Sequence, residues 1–197
     1  EMHRAGRQLG IATTAGVELR VSAAGTALAG RMINNPDSPG IMYVMLHGIP
    51  ARRIDEVSAF LKPIQASRER RTARMTDGLN RLLPDLGLPA IDFGRDVRAI
   101  SRADAGGTIT ERHLLFALSS RILAEAGRGS GLPEWLGNRL GLELPARLAG
   151  LLAEPANPYL AFDLLGVLKS SFLGRIFVQP DAAECVLITG ELMSSAV

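Results

Sequence analysis

Thr13-Thr14-Ala15-Gly16-Val17-Glu18 is the stretch on which the fold reading turns, because a short apolar strand there delivers a carboxylate with no adjacent partner. Alone, such a residue reads either as a strand-end surface carboxylate or as one ligand of a metal site whose other ligands lie outside this chain. Upstream, His3 to Leu9 has the character of a helix end, and Leu9-Gly10-Ile11 turns directly into the strand. The chain is therefore expected to begin in mid-domain.

Composition sets the class. With 197 residues, 47% hydrophobic and 21% charged, the chain is long enough for one domain with a sizeable core and is not expected to be disordered. No apolar run of the roughly 18 residues that suggest a membrane span occurs, and Glu1-Met2-His3-Arg4 leads into no signal-peptide hydrophobic region, so a soluble cytoplasmic protein is expected. The single cysteine, Cys185, excludes an intramolecular disulfide and any site built from several thiolates. Beside Glu184, Val186 and Leu187, it reads as a small buried residue rather than a nucleophile. The net charge of +2 says little about partners. Lys62 and Lys169 are the only lysines, and the arginine bias most simply reflects genome composition.

Working outward, strands are expected near Ile11 to Thr14, Val17 to Val21 and Ile41 to Leu46. The loop Asn34-Asn35-Pro36-Asp37-Ser38-Pro39-Gly40 separates two of them and is expected to leave Arg31 to Asn35 on the surface. From Ile54 the pattern becomes helical. Ile54 to Leu61 reads as a short helix that Pro63 interrupts or kinks. Thr72, Met75, Leu79 and Leu82 then form one stripe, with Arg70, Arg74, Asp77 and Arg81 on another face. A further helix opens at Thr108-Ile109-Thr110-Glu111, where Thr108 and Glu111 have capping-box spacing, and runs through Leu114, Leu118 and Ile122. Helices are also expected from Leu132 to Leu140 and from Ala146 to Ala153. Another should cover Tyr159 to Ser171 behind an Asn157 cap and Pro158. Arg175-Ile176-Phe177-Val178 reads as a strand, and Glu191 to Ala196 as a short helix. Strands, a large helical block and a return to strand make a helix-rich α/β chain with a helical insertion. Its expected divisions are residues 1–53, 54–173 and 174–197.

Leu9 to Leu19, the loop Arg31 to Ser38, Arg68-Glu69-Arg70-Arg71, Gly107-Thr108-Ile109-Thr110-Glu111-Arg112-His113-Leu114, and Asn157-Pro158-Tyr159 with Asp163-Leu164-Leu165-Gly166 together resemble a bacterial branch of the PHP (polymerase and histidinol phosphatase) domain proteins. The resemblance runs over nearly the whole chain. Gly16-Val17-Glu18 and Thr108 to Leu118 carry it most specifically. It implies a segment of a distorted (β/α)7 barrel carrying a large α-helical insertion, with divalent metal ions at the strand ends and hydrolysis of a phosphate ester by metal-activated water. In this likeness Glu18 occupies a metal-ligand position, and zinc, manganese or iron would suit the hard ligand set. The chain departs from the pattern in having no His-x-His pair before Glu18 and no later histidine and aspartate ligands. It is thus expected to be an internal fragment, inactive alone, with most of the site beyond its ends.

Other candidates keep two readings. His47, in Met45-Leu46-His47-Gly48, reads as a second metal ligand or as a turn histidine. Arg70 and Arg74 read as substrate-binding groups, since a guanidinium meets phosphate bidentately, or as a solvated helix face with local ion pairs. His113 reads as a substrate contact or as a hydrogen-bonded structural histidine. The expected partner is a small phosphorylated substrate. With one Trp and two Tyr, aromatic interleaving for nucleic-acid binding is missing. The alternatives to an enzyme are a non-catalytic helical interaction or lid module, and a degenerate PHP protein without metals.

Overall fold

In the computed structural model, which describes residues 2–35 and 38–187, the chain forms two compact units. One joins Glu1–Ser67 to Pro180–Val197, and the other is Arg68–Gln179. The architecture is α/β and helix-rich, with a single three-stranded mixed sheet among the described residues.

The first unit opens with α1 (Met2–Leu9), followed by β1 (Ala15–Ser22) and β2 (Ile41–Ile49). Along β1, Leu19 and Val21 are buried while Gly16 and Glu18 are exposed, the alternation that a pleated strand imposes. The strands pair antiparallel, setting Glu18 opposite Met45, Arg20 opposite Tyr43 and Gly16 opposite His47. The register slips between Ala15 and Gly16. A Cβ on Gly16 would stand 2.8 Å from the Leu46 carbonyl oxygen, so the close approach there requires glycine. A short β3 (Val186–Leu187) adds to the other side of β1 in parallel, giving the order β2-β1-β3. On the outer edge of β2, the Asn34 side chain acts as a substitute strand. Its Nδ2 donates to the Tyr43 carbonyl at 2.8 Å, and its Oδ1 accepts from the Tyr43 N–H at 2.9 Å.

α2 (Ile54–Asn80) begins in the first unit and continues into the second. After it come a π-helical stretch, Phe93–Arg98, running into α3 (Ala99–Ser101), and then α4 (Glu111–Ala126), α5 (Gly131–Leu140), α6 (Ala146–Leu152) and α7 (Leu160–Ser171). Leu114, Leu118 and Ile122 on α4 and Leu160, Leu164 and Leu168 on α7 repeat every four residues and are fully buried. They share one apolar core with Met75 and Leu79 of α2 and with Leu132, Leu136 and Leu140 of α5. α5 ends where Gly141 takes a left-handed φ of 67° and its N–H bonds to the Gly137 carbonyl, as a glycine stop requires.

The structure differs from several of the sequence expectations. β1 and β2 are antiparallel neighbours, and the described residues between them form no helix, whereas a (β/α)7 barrel pairs parallel strands through helical crossovers. The described residues therefore do not form a segment of such a barrel. Ile11 to Thr14 precede the strand, and the Ile11 N–H instead closes α1 on the Gly6 carbonyl. Asn35 is buried rather than on the surface. Pro63 neither ends nor splits α2. Ala59, whose carbonyl loses its helical partner to the proline, is exposed, so water can take that bond. Arg175 to Val178 are not a strand. A 3-10 turn at Leu173–Arg175 precedes them, and Arg71 of α2 holds the segment by donating to the Val178 carbonyl at 3.3 Å and lying over the Phe177 ring. α7 starts at Leu160 with Tyr159 as its cap, while Asn157 Oδ1 accepts from the Tyr159 N–H in the turn before it. The helix expected at Glu191 to Ala196 lies outside the described residues.

Candidate functional site

α4 starts at Glu111, two residues later than the Thr108 box implies, and its N-terminus is closed by Thr110 and His113. The Thr110 N–H donates to His113 Nδ1 at 3.1 Å, and the Thr110 hydroxyl lies 3.2 Å from the same nitrogen. A backbone N–H can only donate, so Nδ1 is the acceptor and the neutral ring carries its proton on Nε2. The histidine thus fills the place that Glu takes in the usual box, and its Nε2–H is left as the donor on its outer side.

That histidine lines a cavity of 590 Å³ with Ile100, Arg112, Phe116, Phe162, Leu165 and Lys169. Arg112 and Phe116 are one turn apart on α4, while Phe162, Leu165 and Lys169 stand at i, i+3 and i+7 on α7. Each set therefore faces the same way. The Phe116 and Phe162 rings meet with centroids 5.2 Å apart and planes tilted by 36°. Neither Arg112 nor Lys169 is in an ion pair among the described residues. The cavity therefore combines an apolar wall, two uncompensated cations and one neutral N–H donor.

A second, smaller cavity of 190 Å³ is lined by Arg95, Asp96, Ile100, Phe116, Ala117, Ser120 and Arg121. Asp96 accepts from Arg95 Nε at 2.8 Å, from Arg121 at 2.8 Å and from the Asp92 N–H at 2.9 Å. The Arg95 hydrogen bonds, aided by the Asp92 N–H and the Arg121 charge, hold its carboxyl down to about 2 against the opposing effect of burial.

The other sequence candidates lie elsewhere. Glu18 and His47 are exposed on neighbouring strands, and the pairing puts both on the same sheet face, one rung apart diagonally. Arg20 and Tyr43 occupy the next rung, joined by a 3.1 Å hydrogen bond to the phenol oxygen. Among the described residues no third His, Cys, Asp or Glu joins the Glu18–His47 pair to make a group able to hold a metal ion. As two donors they do not complete a catalytic site. Arg70 and Arg74 are exposed on α2 and line neither cavity, whereas Arg71 is buried beside Met75 and Phe177. Cys185 is half-buried. No described helix is long and apolar enough to cross a membrane.

Of the cavity's lining, only His113 was a candidate site residue in the sequence. Phe162 offered a signal, because it falls off the buried stripe Leu160, Leu164, Leu168 and leaves a large ring exposed on the other face of α7. Comparison of the chain with protein-family models, with curated proteins and with solved structures finds no match.

Proposed function

We propose that the helical unit binds a phosphate monoester carried on a small apolar body. The observation that carries this reading is the pair of unpaired cations, Arg112 and Lys169, with the His113 Nε2–H, on a cavity otherwise walled by Phe116, Phe162, Leu165 and Ile100. Two positive charges match a dianionic phosphate better than a carboxylate, and the guanidinium can engage two of its oxygens. The rings take an aryl or short alkyl body out of water. In this reading Arg112, Lys169 and His113 hold the ligand, and the unit is a binding or lid module.

Phenyl phosphate, phenol and benzoate, each titrated into the full chain by calorimetry, test it. Phenyl phosphate should bind with a Kd of about 0.1 to 1 mM, the range expected for a ligand of this size. Phenol should bind at least about tenfold more weakly, since an uncharged ligand forgoes the charge-assisted bonds. The double variant Arg112→Gln, Lys169→Gln should lose the preference for the phosphate. Equal affinity for phenol, or a preference that survives in the double variant, refutes the reading.

A second reading, a metal-dependent phosphate-ester hydrolase of PHP type, is favoured by Glu18 and His47 sharing one exposed sheet face. The remaining ligands would come from outside the described residues. Zinc, manganese and iron(II) titrations compare the chain with Glu18→Gln and His47→Ala. Metal binding that weakens at least tenfold in either variant supports this reading, and binding that neither variant alters removes both residues from it.

A further inference from the structure

The cavity has a direction. Phe116 of α4 meets Phe162 of α7, while Arg112 and His113 lie about one turn from Phe116, roughly 6 Å along α4, and Lys169 lies roughly 10 Å from Phe162 along α7. Arg128, just past the C-terminus of α4, donates to the Asn157 carbonyl just before α7 at 2.9 Å, so the two helices run in opposite directions and the cationic groups gather at one end with the two rings at the other. Continuing along α4 past Phe116, the second cavity begins, lined on that helix by Ala117, Ser120 and Arg121. Ile100 and Phe116 line both cavities. These two side chains are the wall between them.

We propose that Phe116, backed by Ile100, is the length stop of this binding site. The inference rests on the phosphate-monoester reading above. With the phosphate at Arg112 and Lys169, a body of about 6 Å, one aryl ring or five to six carbons, spans the rise along α4 to the Phe116 ring. A longer chain must turn out into solvent. Removing the ring joins the cavities and opens roughly another 6 Å along α4, as far as Ser120.

The test is a series of n-alkyl phosphates from butyl to decyl, kept below their micellar concentrations and titrated into the full chain and its variants. In the unaltered chain, affinity should rise by up to about fourfold per methylene until the body reaches the ring, and then level off. In Phe116→Ala the rise should continue, so that decyl phosphate binds at least about tenfold tighter than to the unaltered chain. Butyl phosphate should bind no tighter, and up to about tenfold more weakly, because the variant removes part of the apolar wall and opens no length that so short a body can use. Phe116→Leu, which keeps most of the volume, should move the plateau by one or two carbons, and Phe116→Trp should shorten it. These two variants decide the matter if Phe116→Ala does not fold. An unchanged plateau in folded variants overturns the length stop while leaving the binding site standing. Absence of binding by every alkyl phosphate overturns the site itself.

Discussion

Asn80 closes α2 by holding the backbone of Ile91, donating from Nδ2 to the carbonyl and accepting at Oδ1 from the N–H, both at 2.9 Å. Ile91 is 2% exposed, so neither group can turn to water. Asn80→Asp keeps the shape and the acceptor but replaces the donor with a carboxylate oxygen facing the Ile91 carbonyl. An unsatisfied buried carbonyl costs about 1–3 kcal/mol, and a negative charge at a helix C-terminus adds about 0.3–1 kcal/mol. The expected loss at pH 7 is about 3 kcal/mol. Such a loss raises the folded-state pKa of the new carboxyl by about two units. A raised folded pKa means that the favourable contribution is present when the carboxyl is protonated, because its O–H then replaces the lost donor. That contribution disappears as pH rises through the raised value. Urea unfolding followed by circular dichroism should therefore give a deficit, relative to the unaltered chain, that shrinks from about 3 kcal/mol at pH 7 to about 1 kcal/mol at pH 4.5. A deficit below about 0.5 kcal/mol at pH 7, or one that does not vary with pH, refutes this account of the Asn80 bridge.

Asp96→Asn should cost about 1 kcal/mol at neutral pH, discounted for its partly solvated position beside exposed Arg95. Because the native carboxyl is held down to about 2, that difference should vanish as pH falls from about 4 towards 2, as read by thermal melts across the range. Leu118→Ala removes a fully buried side chain at the centre of α4 and should cost about 3–4 kcal/mol in urea unfolding. A value under about 1 kcal/mol contradicts the core assignment. Gly107→Ala sets a methyl group against the Ser101 carbonyl oxygen and 2.9 Å from that of Arg102, so α4 should lose its N-terminal anchoring and the chain about 2 kcal/mol or more. An unchanged melting temperature speaks against that turn.

The helices were legible wherever a stripe repeated: Met75 and Leu79, and Leu114, Leu118 and Ile122, lie in the core, and the helix expected from Leu132 to Leu140 is there. Their ends were less so. Thr108 and Glu111 fit the familiar capping spacing, but His113 serves the same purpose through a ring nitrogen, which a search for Glu or Gln passes over. Pro63 reads as an interruption or a kink, and α2 runs on through it because Ala59 is exposed, so that water can take its freed carbonyl. Ile176 and Val178 have strand composition, but what holds that segment is the Arg71 side chain, a contact 107 residues apart that no local pattern encodes. The sheet's topology was equally hidden, since alternation fixes which face of β1 is buried but not the direction of its neighbours. Of the cavity, His113 drew attention because it follows the capping-box glutamate Glu111 by two residues, near the edge of the apolar stripe. Arg112 and Lys169 did not, because only the packing of α4 against α7 brings them to one opening.

The account stands or falls on whether a phosphate monoester enters the cavity between α4 and α7. An isotope-labelled sample of the full chain, titrated with phenyl phosphate and followed by backbone amide and Phe ring NMR shifts, reads this residue by residue. The expected result is a saturable set of shifts confined to Ile100, Thr110 through Ala117 and Phe162 through Lys169, with intermolecular contacts from the phenyl protons to the Phe116 and Phe162 rings. Shifts that gather instead around Glu18 and His47, or that never saturate, contradict it.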